Sequence, residues 1–138
     1  MKPGRSAGAA IPLLALLLAL ASTAASACGY CVEDRIAAVY DHALLQRAQA
    51  SKHELAYFAW DGPMTRNAAS RQQLQALLEG TPGVDKGSAR VSMEPAALAL
   101  AFDPQRSSAE AIGAALRKKL KALRLSLVLL QVPETPAP

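Results

Sequence analysis

Apolar positions along the chain change their spacing several times, and each change marks an element. Over residues 31–50 they recur every three or four residues, at Ile36, Val39, Tyr40, Ala43 and Leu44. Glu33, Asp34, Asp41, Gln46 and Arg47 fall mostly on other faces, which predicts one amphipathic helix. Its two leading acids suit the positive end of the helix dipole. Residues 53–60 (HELAYFAW) are β-prone and run into Asp61-Gly62-Pro63, a turn signal. Helical spacing returns over residues 68–79, with Leu74, Leu77 and Leu78 on one side and Gly80, Pro82 and Gly83 as the stop. Residues 88–94 and 97–102 read as a hairpin around Pro95. The second strand alternates strictly, with Leu98, Leu100 and Phe102 pointing one way and Ala97, Ala99 and Ala101 the other. Ser107-Ser108-Ala109-Glu110 is a capping-box start for a helix to about Leu120, and residues 123–131 (LRLSLVLLQ) form a last apolar strand.

From residue 53 to 131 the order is strand, helix, strand, strand, helix, strand. That order predicts an α+β fold, a ferredoxin-like split βαβ sandwich (βαββαβ) preceded by an N-terminal amphipathic helix. Both helices of such a sandwich lie on one face of a four-stranded antiparallel sheet. The other face is open, and we expect Tyr57, Phe58 or Trp60, Leu98 and Val128 among its side chains. The helix of residues 31–50 is expected to cover that face, or the sheet edge, through Ile36, Val39, Tyr40 and Leu44.

The start of the chain has a different composition. Lys2 and Arg5 precede an apolar run at 11–21 (IPLLALLLALA), and Ala25-Ser26-Ala27 supplies a small-x-small pattern just before Cys28. The run is about half of the ~20 residues a membrane span requires. We read residues 1–27 as an export signal, and expect a periplasmic or secreted protein. The organisation is then a signal at 1–27, a Cys-bearing helix at 28–52, a ferredoxin-like domain at 53–131 and a flexible tail at 132–138, where three prolines fall. The whole chain carries a net charge of +4, and losing Lys2 and Arg5 leaves about +2. That excess is too small to argue for nucleic acid, so Arg117, Lys118, Lys119, Lys121 and Arg124 read as a solvated face near a helix end. Aromatic residues make up only 4% of the chain, so the core is expected to be Leu, Val and Ala.

Residues 53–131 resemble the heavy-metal-associated domain of copper chaperones and of metal-pumping ATPase N-termini. The resemblance rests on Gly62-Pro63-Met64-Thr65 after the first strand, and on Leu77-Leu78 before Pro82-Gly83-Val84. It rests also on the alternating strand into Phe102-Asp103-Pro104 and on Ser108-Ala109-Glu110-Ala111-Ile112 opening the second helix. In that family a Met-Thr pair is followed at once by Cys-x-x-Cys, whose thiolates grip a soft ion. Here Met64-Thr65 is followed by Arg66-Asn67-Ala68-Ala69, so Arg66 and Ala69 stand where the resemblance would put the ligands. Neither side chain has a metal-donor atom. The resemblance implies the fold without the family's metal site.

The chain's two cysteines form Cys28-Gly29-Tyr30-Cys31, directly after the signal. Two thiolates at a helix start suit a soft ion such as Cu(I), or Zn(II) with further ligands. The helix dipole is expected to favour thiolate over thiol there. Three other readings stay open: thiol–disulfide exchange, a purely structural disulfide, and lipidation of Cys28 as a membrane anchor. Cys-Gly-Tyr-Cys looks like the active-site tetrapeptide of periplasmic disulfide isomerases, but no strand precedes it as a thioredoxin fold would require. His42 is eleven residues from Cys31, about 16 Å of helical rise and too far to share one ion. His53, Met64 and Met93 read as ordinary packing or surface residues. With no Ser/His/Asp set, paired carboxylates, phosphate loop or H-E-x-x-H motif standing out, thiol exchange is the only catalysis the sequence supports. The leading expectation is an exported, non-enzymatic metal-binding protein. It holds Cu(I) or Zn(II) through Cys28 and Cys31 and serves a metal-transport or metal-acceptor partner. A non-metal interaction module is the alternative.

Overall fold

The computed structural model describes residues 31–130. The expected signal, Cys28, Gln131 and the expected tail lie outside the described residues. Eight elements follow in order: α1 (Val32–Val39), α2 (His42–Ala50), β1 (Glu54–Asp61), α3 (Ala68–Glu79), β2 (Arg90–Met93), β3 (Ala96–Phe102), α4 (Ala109–Lys121) and β4 (Ser126–Leu130). The strands form one antiparallel sheet in the order β2-β3-β1-β4, which is the ferredoxin-like arrangement read from the sequence.

Strict alternation on β3 builds two cores. Leu98, Leu100 and Phe102 join Phe58 and Trp60 of β1 and Leu127 of β4, and meet Leu74 and Leu78 of α3 and Ile112, Leu116 and Leu120 of α4. Most of these side chains are fully buried, and at about 25 cal/mol per Å² of apolar surface they dominate the stability. Both helices start on side-chain caps, Asn67 accepting from the Ser70 amide at 2.8 Å and Ser108 from the Ala111 amide at 3.1 Å. Gly62, closing β1, has φ +141°, and a Cβ there would stand 2.6 Å from the Arg124 carbonyl oxygen.

On the reverse face, Ala97, Ala99 and Ala101 receive the N-terminal helices. Val39 packs on Tyr57, Ala97 and Ala99, while Leu44 and Ala48 pack on Ala101 and Leu55. The expectation that the N-terminal segment covers the open face is met, with three corrections. Phe58, Trp60 and Leu98 belong to the main core, because alternation places Tyr57 and Ala97 rather than their neighbours on the covered side. Tyr40 is half exposed and not a packing residue. The segment is two helices, not one.

The break at Tyr40–Asp41 has a geometric cause. Val39 and Leu44 are five residues apart, about 140° around a straight helix at 100° per residue, so a single helix cannot bury both on a flat sheet. Asp41 takes extended backbone angles instead. Its Oδ1 accepts from the Leu44 amide at 3.0 Å and starts α2 afresh, and its Oδ2 accepts from Arg90 Nε at 2.9 Å. Two duties for one carboxylate outweigh the lost helical turn.

Candidate functional site

Because α1 and α2 run along the reverse face toward the start of β1, the first turn of α1 lies at the opposite end of the sheet. There β1 finishes, β3 and β4 begin, and the 62–67 loop departs. Arg35 fixes the placement: its Nη1 donates to the carbonyl oxygen of Ala96, the first residue of β3, at 2.7 Å. It also lines a hollow of about 350 Å³ with Ala59, Trp60, Asp61, Ser126 and Val128. Cys31 caps the same turn, its carbonyl accepting the Arg35 amide at 3.2 Å. Cys31 is exposed, as a metal- or partner-accessible thiol must be.

The electrostatics of that thiol depart from expectation. Cys31 Sγ donates to Asp34 Oδ2 at 3.0 Å, and this hydrogen bond is the main reason its pKa rises above the ordinary thiol value. Desolvation and Glu33 push in the same direction. The first-turn acids that suit the helix dipole therefore raise the thiol pKa, and the local carboxylates outweigh the dipole. A soft ion binding here must displace a proton, as metal binding to thiols generally does.

At the same pole, the two positions that the resemblance singled out are plugged or blank. Arg66 lies over the Trp60 ring, 4.2 Å from its centroid, and Ala69 is an exposed residue in the first turn of α3. Trp60 is itself buried, donating Nε1–H to the Ser92 carbonyl at 3.1 Å. Met64 and Met93 pack against the main core, as expected. His42 is exposed beside the Tyr40 hydroxyl, 3.2 Å from its Nδ1. Among the described residues no cluster of three or more His, Cys, Asp or Glu is placed to hold a metal. Of the two expected ligands the structure places Cys31; Cys28 lies outside the described residues.

Sequence reasoning missed three features. Arg35 carried no local signal, since its partner Ala96 lies sixty-one residues away, and Arg66 stood only as a position without a metal donor, not as the residue that stacks on Trp60. His53 Nδ1 lies 2.6 Å from Asp85 Oδ2 at the far end of the sheet, where the two line hollows of about 150 and 500 Å³. Thirty-two residues separate them, and no local pattern announces the pair.

No protein-family model matches the chain, and no curated protein matches it. Among solved structures it is similar to oxidized MerP from Ralstonia metallidurans CH34, with 15% identity and a TM-score of 0.44 over 57% of this chain and 99% of that one. It is similar also to a copper binding domain from HMA7, a P-type ATPase, with 21% identity and a TM-score of 0.44 over 56% and 93% of the two chains. A third neighbour is the N-terminal domain of a potential copper-translocating P-type ATPase from Bacillus subtilis in the Cu(I)-loaded state. It shows 20% identity and a TM-score of 0.44, over 62% of this chain and 98% of that one.

Proposed function

We propose that this is an exported metal-handling protein that binds a soft ion, Cu(I) first and Zn(II) second, through Cys28 and Cys31 and passes it to a metal-transport or metal-acceptor protein. The observation that carries this reading is the place of Cys31. It is an exposed thiol at the start of a docked helix, at the pole where the 62–67 loop also emerges with no donor at positions 66 and 69. Export rests on the N-terminal sequence pattern, and among the described residues no helix is long and apolar enough to cross a membrane.

The carboxylates beside Cys31, Asp34 first, raise its thiol pKa, which disfavours the thiolate that attacks in thiol–disulfide exchange; oxidoreductases stabilise that thiolate with nearby cations. A metal site tolerates the same environment, since the ion itself drives deprotonation. Anaerobic Cu(I) titration of the mature protein against a chromophoric chelator tests the proposal. One ion per chain, lost in both Cys28→Ser and Cys31→Ser, is the expected result. Equal binding by wild type and Cys31→Ser would sink the reading. Intact mass of the mature protein decides whether Cys28 carries a lipid, in which case its sulfur is spent and the two-thiolate site is excluded.

A further inference from the structure

The first turn of α1 has little apolar anchorage of its own. Cys31, Val32, Glu33 and Asp34 are all exposed, and Val39, at the far end, is the helix's only buried residue. A helix of eight residues is too short to persist in water without tertiary contacts. Arg35 is the exception in that turn. It is half buried, and its guanidinium reaches across to the Ala96 carbonyl at 2.7 Å.

We propose that Arg35 is the positioning residue of the Cys31 thiol. Its charge-assisted hydrogen bond to the first residue of β3 pins the turn that carries Cys31, so the thiol stands at a fixed place beside the β1 exit. The bond is short, partly shielded from water and made by an ionised donor, the combination that gives strong directional hydrogen bonds. Anchor and thiol are one helical turn apart, linked by the Arg35 amide to Cys31 carbonyl bond. Without the strut, Ile36 and Val39 still hold the later part of α1. The first turn then frays while the domain stays folded.

The positional claim stands on these contacts alone, whereas its consequence for metal binding rests on the function proposed above. The test separates the two. Trp60 is the chain's single tryptophan and lines the same hollow as Arg35, so energy transfer from Trp60 to a dye on Cys31 reads the arm's position without any metal. The mature Cys28→Ser protein, labelled at Cys31, serves as the reference. Arg35→Ala is expected to lower and broaden the transfer while the far-UV melting curve is nearly unchanged, and Arg35→Lys to keep most of the transfer. In the unlabelled two-cysteine protein, Arg35→Ala is expected to weaken Cu(I) about tenfold, the lower end of what losing an orienting contact costs a metal site. Transfer in Arg35→Ala equal to the reference overturns the proposal. So does a drop in transfer with Cu(I) affinity unchanged. Transfer that falls in a protein whose wild type binds no Cu(I) upholds the strut and removes the metal reading. If Arg35→Ala does not fold, Arg35→Met, which keeps the apolar stem, carries the same comparison.

Discussion

Replacing Leu44 with alanine tests whether the N-terminal helices are part of the fold or an appendage resting on it. Leu44 is 3% exposed and packs with Ala48 and Leu55 on Ala101 of β3. Leu→Ala at buried sites costs about 2–5 kcal/mol, the spread set by how far the surroundings close around the lost volume. Here the cluster is small, and Leu44 also borders a hollow of about 150 Å³ with Arg47 and Ser51, so the vacated space joins a solvent-accessible one. That places the cost at the low end, about 2 kcal/mol. For a domain of this size each kcal/mol moves Tm by about 4–8 °C, so the expected fall is about 8–16 °C.

The assay is thermal and urea unfolding of the protein followed by far-UV circular dichroism and Trp60 fluorescence. Trp60 sits in the main core, on the other side of the sheet from Leu44. If both probes shift together with an unchanged urea slope, the α1–α2 arm unfolds with the sheet as one cooperative unit. A Trp60 transition within 2 °C of wild type would refute the reasoning. It would mean that the arm opens separately, below the global unfolding free energy.

Three further outcomes follow from the same structure. Gly62→Ala forces a side chain into a positive-φ position and against the Arg124 carbonyl and the Leu125 side chain, and is expected to cost at least about 1–3 kcal/mol in urea unfolding. Asp41 has its carboxyl pKa lowered, first by the Leu44 amide and then by Arg90, so its contribution is complete above the ordinary carboxylate range and is lost as pH falls through the lowered native value. Asp41→Asn keeps a cap acceptor without the charge; it is expected to flatten the acid side of the Tm-against-pH curve, and a curve parallel to wild type there would contradict the assignment. Arg66→Cys with Ala69→Cys, in a Cys28→Ser, Cys31→Ser background, is expected to bind one Cu(I) at the start of α3, where Asn67 already caps the helix. It forfeits the Arg66 stack on the buried Trp60 ring, about 1–2 kcal/mol. Failure to bind would mean that the loop has lost the shape of a metal site as well as its donors.

How far the sequence disclosed this molecule follows from which of its signals are local. Residues 68–79 were legible to the residue, because the leucine spacing and the Gly80 stop are local to the segment they define. The alternation of Ala97 to Phe102 was legible too, since side-chain direction in a strand has period two. Residues 31–50 misled. Their apolar spacing fits one helix, and only the flat sheet beneath shows that Val39 and Leu44 must both face it, which Asp41 solves by starting α2. The site was half legible. The Cys28–Cys31 pair is visible in the sequence, but the pole at which Cys31 stands depends on Arg35 reaching Ala96, sixty-one residues away. The rise in the Cys31 pKa comes first from Asp34, three residues on, a contact in plain view that the dipole argument set aside.

The unequal faces of β3 tie the fold to the candidate site. Leu98, Leu100 and Phe102 set α3 and α4 on a thick layer of side chains, while Ala97, Ala99 and Ala101 let a helix approach the other face closely. An alanine stripe facing water would bury little and gain little. Under Val39, Leu44 and Ala48 the same stripe is almost wholly excluded from solvent, with Ala97, Ala99 and Ala101 each at most 2% exposed. The stripe therefore makes sense only with the arm in place, and the arm carries Cys31 on its first turn. A thiol on a loose tether would present its metal in every direction. On the function proposed above, one carried by a docked helix would present it from a single pole, and an acceptor would approach the β1 exit past Glu33, Asp34 and the exposed Val128. Ala99→Leu probes this coupling directly. The added bulk should push α1 off the sheet and reduce Trp60-to-Cys31 transfer while the main core still melts cooperatively; transfer equal to wild type would show that the alanine stripe does not set the position of the thiol.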